Sequence, residues 1–154
     1  MSLLGLKAPE LNLQNGDFEH INFTNFKDSK LVLLFYPLAF SSVCTTELCT
    51  IRDNMKIYNS LNAKVCAISV DSLFVQKAFK QSQNLNFELL SDFNKIVSIS
   101  YGCINNDYYG MKGVSKRAAF VIDKKGMVRY EEILEKDDKL PDFSKIQNTL
   151  AQLG

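Results

Sequence analysis

Hydrophobic positions follow two rhythms along this chain. Residues 30–38, KLVLLFYPL, form a continuous apolar run that meets Pro37, and KVCAISV (64–70) is a second such run. Unbroken runs of this length predict strands buried on both faces. HINFTNF (20–26) alternates with a period near two and predicts an early strand, and FELLSD (87–92) predicts a short extended segment. Between these runs the spacing changes. Leu48, Ile51, Met55 and Tyr58 share one helical face and predict a helix from Ser41 or Ser42 to near Asn62. DSLFVQKAFKQSQ (71–83) predicts a helix capped by Asp71 or Ser72, NKIVSISYG (94–102) one stopped by Gly102, and DFSKIQNTLAQL (142–153) a closing helix. RAAFVIDKKGMVRYEEI (117–133) predicts a hairpin turning through Asp123–Gly126. Strands alternating with helices, followed by a late hairpin, predict an α/β sandwich around a central mixed sheet.

No repeat, linker or low-complexity segment interrupts the pattern, so one domain over residues 1–154 is expected. A net charge of +1 with interspersed lysines and acids gives no electrostatic reason to expect nucleic acid or a membrane surface as partner. The apolar runs are too short to span a bilayer, and the first residues, MSLLGLKAPELNLQ, lack the basic and apolar regions of a signal peptide. The four cysteines, Cys44, Cys49, Cys66 and Cys103, are therefore read as reduced thiols of a cytoplasmic protein. A domain of this length also holds a core without disulfide staples. A distinctive cysteine in such a setting points to catalysis or redox sensing rather than to structure.

Cys44 is that cysteine. It stands in the first turn of the helix predicted after the 30–38 run, where free backbone N–H groups and the positive end of the helix dipole favour a thiolate. Ionisation alone adds little, because nucleophilicity falls as thiol acidity rises. A fast thiol enzyme also needs donors aimed at the transition state, and the Ser41 hydroxyl is one candidate. Taken by itself, Cys44 reads equally well as a small apolar residue at a helix start.

Pro37, Ser41 and Cys44 fit the pattern Pro-x-x-x-(Thr/Ser)-x-x-Cys, followed by TTE ending at Glu47. On these residues, and on YPLAF, LLSDF and AFVID, the chain resembles the peroxiredoxins. Within them it is similar to the bacterioferritin-comigratory-protein and alkyl hydroperoxide reductase E subgroups. The resemblance implies a thioredoxin-like fold with an N-terminal extension and a peroxidase that needs no metal, flavin or haem. It implies that Cys44 attacks the peroxide and becomes a sulfenic acid, that Pro37 shields that product, and that Ser41 bonds the thiolate and the peroxide. Arg117, in SKRAAFVID, matches the family's essential arginine, and Glu47 would orient it; a carboxylate in the first turns would also serve the helix dipole. Serine in place of the commoner threonine keeps the hydroxyl. Arg129 reads as a solvated charge, and His20, the only histidine, as a surface residue.

Cys49 follows Cys44 at i+5. In an intact helix such side chains point about 140° apart, with Cα atoms roughly 8.6 Å distant, beyond the usual reach of a disulfide. The resemblance implies that the helix unwinds locally so that Cys49 resolves the sulfenic acid, as in one branch of the family. Cys49 as a core residue, with resolution by an external thiol, is the alternative. Cys103 is a weaker candidate resolver, and Cys66 reads as buried and inert. The expected partners are a peroxide and thioredoxin or another thiol reductant; the resemblance also admits a homodimer, and the exposed-looking YPLAF cluster (36–40) suits a dimer contact and a substrate entrance equally. A redox-switched chaperone or binding module and a thiol-disulfide oxidoreductase are the rival functions.

Overall fold

A computed structural model describes residues 2–136 and 138–154. Its main sheet has seven strands in the order β2-β1-β5-β4-β3-β8-β9. They are β1 (Asn12–Gln14), β2 (His20–Asn22), β3 (Lys30–Phe35), β4 (Ala63–Ser69), β5 (Glu88–Ser91), β8 (Ala118–Ile122) and β9 (Val128–Ile133). A two-stranded ribbon pairs β6 (Ile104–Asn105) with β7 (Val114–Ser115). In the main sheet β4 runs parallel to β3 and β5, and the remaining pairs are antiparallel. The helices are α1 (Ser42–Asp53), α2 (Met55–Ser60), α3 (Leu73–Ser82), α4 (Ile96–Ser100) and α5 (Phe143–Gln152).

The unbroken apolar run of β3 arises because its two faces meet two different cores. Val32, Leu34 and Tyr36 join Val65, Ala67, Ala119 and Val121 beneath Leu48, Ile51, Tyr58, Phe79, Ile146 and Leu150 of α1, α2, α3 and α5. Leu31, Leu33 and Phe35 face the other way, with Cys66, Ile68, Phe120, Val97 of α4 and Ala8 and Leu11 of the N-terminal segment. The result is the mixed α/β sandwich that the sequence pattern predicts, with the N-terminal extension that the resemblance implies.

Two expectations need correction. HINFTNF is a strand only over His20–Asn22, after which the Asn22 side chain caps a 3₁₀ turn over Phe23–Phe26. The helix expected to run to Asn62 is two helices. At Asn54 the backbone leaves helical geometry (φ −114°, ψ 15°), and the Asn54 amide donates to the Thr50 carbonyl at 2.8 Å. Thr45, Thr46 and Thr50 likewise turn their hydroxyls onto the carbonyls of Ser41, Ser42 and Thr46. Such back-bonding weakens and bends helices.

Candidate active site

β3 delivers the chain to its end beside β4, where the Tyr36 N–H still donates to the Ile68 carbonyl at 3.0 Å. Pro37 follows, buried and without an N–H, so the ladder stops there. Residues 38–40 then cross to α1, each side chain in its own seat. Leu38 packs against Val70, Tyr108 and Val114; Ala39 packs on the main core; the Phe40 ring lies 4.9 Å from that of Phe79. Phe40 has φ +69°, a left-handed conformation that a bulky residue adopts only under restraint. Such strain costs on the order of 1–3 kcal/mol. The YPLAF cluster is thus not the exposed patch expected from sequence. Tyr36 and Pro37 are buried, Leu38 and Ala39 half-buried, and only Phe40 is exposed. These residues sit where β3 hands over to α1, and the sandwich claims their side chains.

Ser41 is the N-cap of α1 by its backbone (φ −69°, ψ 152°), and Cys44 stands at the third helical position. The Ser41 hydroxyl donates to the Leu38 carbonyl at 3.1 Å, bracing the loop, rather than to the sulfur. Cys44 is fully buried.

Arg117, immediately before β8, reaches the sulfur from across the sheet. Its Nη1 donates to Cys44 Sγ at 3.3 Å and to Glu47 Oε1 at 2.7 Å. β8 pairs antiparallel with β3, Ala118 opposite Phe35, so the strand that ends at the loop is also the one that positions the arginine. One nitrogen thereby joins a thiol at the start of α1 to a carboxylate one turn later.

The Arg117 and Glu47 side chains have no exposed surface. Burial works against the Arg117 charge, but Glu47 and the Cys44 sulfur outweigh it and hold the guanidinium above its ordinary value. Burial pushes the Glu47 carboxyl up to about 7, opposed by the charge and hydrogen bond of Arg117 and reinforced by Glu132. The second carboxyl oxygen, Oε2, is buried without a hydrogen-bond partner among the described residues, which agrees with that direction.

All four cysteines are free. Cys49 is half-buried on the intact α1, its Sγ 3.6 Å from Gln83 Oε1. Arg52 fastens the same junction, donating to the Gln83 carbonyl at 2.6 Å. Cys66 is buried in β4, and burial raises its thiol well above the ordinary value. Cys103 is buried against the Ser98 carbonyl at 3.6 Å. His20 is exposed, and Arg129 is half-exposed with Asp123 at 3.6 Å.

Sequence reasoning did not find the polar residues behind the loop. Tyr36 Oη donates to Gln76 Oε1, and Gln76 Nε2 donates to Ser69 Oγ at 2.9 Å and to the Leu90 carbonyl at 2.8 Å. Ser69 Oγ donates to Asp71 Oδ2 at 2.6 Å, and the same oxygen accepts the Ala39 N–H at 2.7 Å. Ser72 caps α3, which releases Asp71 for this contact. The one available signal was Gln76, a polar residue in phase with Phe79 on the inner face of α3.

The AhpC/TSA family model matches residues 4–131. The chain is a peroxiredoxin of the AhpC/TSA family. The putative peroxiredoxin ycf42 of Pyropia yezoensis is 32% identical over 140 residues, covering 84% of this chain and 68% of that protein. The chloroplastic 2-Cys peroxiredoxin BAS1 of Spinacia oleracea is 33% identical over 144 residues, covering 86% of this chain and 53% of that protein. Among solved structures, peroxidoxin BcpB from Mycobacterium tuberculosis aligns with a TM-score of 0.88 at 26% identity, over 100% of this chain and 99% of that one. BcpB and this chain share the thioredoxin-like sandwich. No described helix is long and apolar enough to cross a membrane.

Proposed function

We propose that this peroxiredoxin is a thiol-dependent peroxidase acting on hydrogen peroxide and organic hydroperoxides through Cys44. The observation that carries this reading is the buried contact of Arg117 Nη1 with both Cys44 Sγ and Glu47 Oε1. A fixed, permanently charged donor beside a thiol at a helix start favours the anionic sulfur. It also remains in place to receive negative charge as the peroxide bond breaks. Glu47 keeps the guanidinium aimed at the sulfur.

In the reaction, the Cys44 thiolate attacks the terminal peroxide oxygen, the O–O bond breaks, and water or an alcohol leaves after taking a proton. The sulfur is oxidised by two electrons to a sulfenic acid. Because Cys44 is fully buried, access requires the loop around it to open locally. Pro37 limits hydration of the product, and the Ser41 hydroxyl, on release from Leu38, serves the incoming peroxide. Cys49 then displaces water from the sulfenic acid to form a disulfide. That step requires α1 to unwind, and its threonine-rich sequence suits it to do so. A dithiol protein of thioredoxin type returns the two electrons, and a reducing compartment such as the cytoplasm suits the cycle.

Intact mass after one equivalent of hydrogen peroxide tests the reading. Wild type should lose two hydrogens and Cys49→Ser should gain one oxygen. A gain of one oxygen by both proteins assigns resolution to an external thiol. No change in either removes Cys44 as the reacting thiol.

A further inference from the structure

We infer that Asp71 is a positioning residue for the peroxide reaction, holding the loop before Cys44 in its reactive shape; this rests on Cys44 as the thiol that meets peroxide. The loop carries a strained residue, Phe40 at φ +69°. A conformation of that kind persists only where its neighbours over-determine it. The residue before it, Ala39, is tied by its N–H to Asp71 Oδ2 at 2.7 Å. The residue after it, Ser41, is tied through its hydroxyl to the Leu38 carbonyl. Asp71 is thus the anchor that comes from outside the loop and grips its backbone directly.

The network behind Asp71 shows why the anchor is firm. A relay of side-chain donors runs toward Asp71: the Tyr36 hydroxyl to Gln76, the Gln76 amide to Ser69, and the Ser69 hydroxyl to Asp71, whose own N–H returns to Ser69 Oγ at 3.2 Å. Asp71 is the charged terminus of this chain, and hydrogen bonds that end on a charge are the strong ones. Tyr36 also precedes Pro37 at the head of the loop. The network therefore grips residues 36 and 39 together, fixing both ends of the segment that leads into Ser41 and Cys44. Among the described contacts of Asp71, with Ala39, Ser69 and Ser91, none is to the sulfur or Arg117, so its removal should disturb peroxide placement more than thiolate formation.

Two rates at Cys44 separate these effects: oxidation by hydrogen peroxide and alkylation by iodoacetamide, both followed by peptide mass. Alkylation needs a thiolate but no aligned peroxide. Asp71→Ala should slow oxidation on the order of 10- to 100-fold, the scale of an ångström-level misplacement. Alkylation should stay within about threefold of wild type. Asp71→Asn, which keeps an oxygen for Ala39 and Ser69, should restore most of the oxidation rate. Should Asp71→Ala fail to fold, Asp71→Glu, which keeps the charge but moves the oxygen, decides by the same two rates. Unchanged oxidation in Asp71→Ala, or in Asp71→Glu where it stands in, or oxidation and alkylation falling together, overturns the inference. Wild type that reacts while Asp71→Ala matches it sinks only the loop anchor. Wild type that does not oxidise at Cys44 sinks the peroxidase reading with it.

Discussion

Replacing Glu47 by glutamine isolates the electrostatic cost of the buried pair. The carboxyl titrates near its ordinary 4.5 in the unfolded chain and is pushed up to about 7 in the fold by burial, which outweighs Arg117. A group with a raised folded value binds its proton more tightly in the native state. Its contribution to stability is full below 4.5 and is lost as the pH rises through 7. Between pH 5 and pH 8 the loss is on the order of 2–3 kcal/mol, from 1.36 kcal/mol per pKa unit. Glutamine has no proton to lose, so Glu47→Gln should gain about that much on wild type over the same interval. At an assumed urea slope of about 2 kcal/mol per molar, the difference between midpoints should move by roughly 1 M. Urea titrations of both proteins at pH 5, 6, 7 and 8, each in a Cys44→Ser background that removes the thiol sharing Arg117, measure it, and the remaining groups cancel in the difference. A difference that stays flat, or moves against the variant as pH rises, would refute the reasoning. It would show that Arg117, not burial, governs Glu47. If Glu47 aims the arginine as proposed, it does so with a loss of stability above neutral pH.

Arg117→Lys keeps the charge but loses the rigid planar guanidinium that fixes Nη1 against both sulfur and carboxylate. The rate of peroxide reaction should fall roughly 10- to 100-fold, and a loss under twofold in stopped-flow oxidation would count against the contact. Thr46→Ala with Thr50→Ala removes two hydroxyls that bond back onto α1 and raises helix propensity by about 1 kcal/mol in total. Disulfide formation between Cys44 and Cys49 should slow about fivefold while oxidation of Cys44 stays within about twofold, as read by rapid-quench mass. Equal rates of disulfide formation would mean that unwinding does not limit resolution.

The long periodic segments were legible because burial on a face writes itself into spacing. β3, β4, α3, the β8–β9 hairpin and α5 all lie close to their sequence-derived spans. β1, β6 and β7 are two or three residues long, too short to show a period. The stop at Asn54 was hidden because Met55 and Tyr58 continue the apolar phase of α1 although the backbone restarts. In the site, Cys44 was marked by its place between a buried run and a helix start. Arg117 was reachable only through the family pattern, since nothing local to SKRAAFVID says where β8 will pair. Asp71 read as a helix cap because the short-range rule competes with a contact 32 positions back, and only the fold brings Ala39 to it.

The interruption at Asn54 acts as a firebreak. α1 and α2 are consecutive, yet the hydrogen-bond ladder of one does not run into the other: Asn54 N–H turns back to Ile51, and Ile57 N–H takes the Asn54 carbonyl as a fresh start. Melting that begins at Ser42 therefore runs out after three turns. Beyond it, Tyr58 stays buried in the core with Gln147 of α5 on its hydroxyl at 3.4 Å. The break gives local opening of α1 a built-in far edge: melting to it withdraws Leu48 and Ile51 from the core but leaves α2 its own hydrogen bonds. In native-state hydrogen exchange, amides of α1 would open together and early, while those of α2 would wait for the whole molecule.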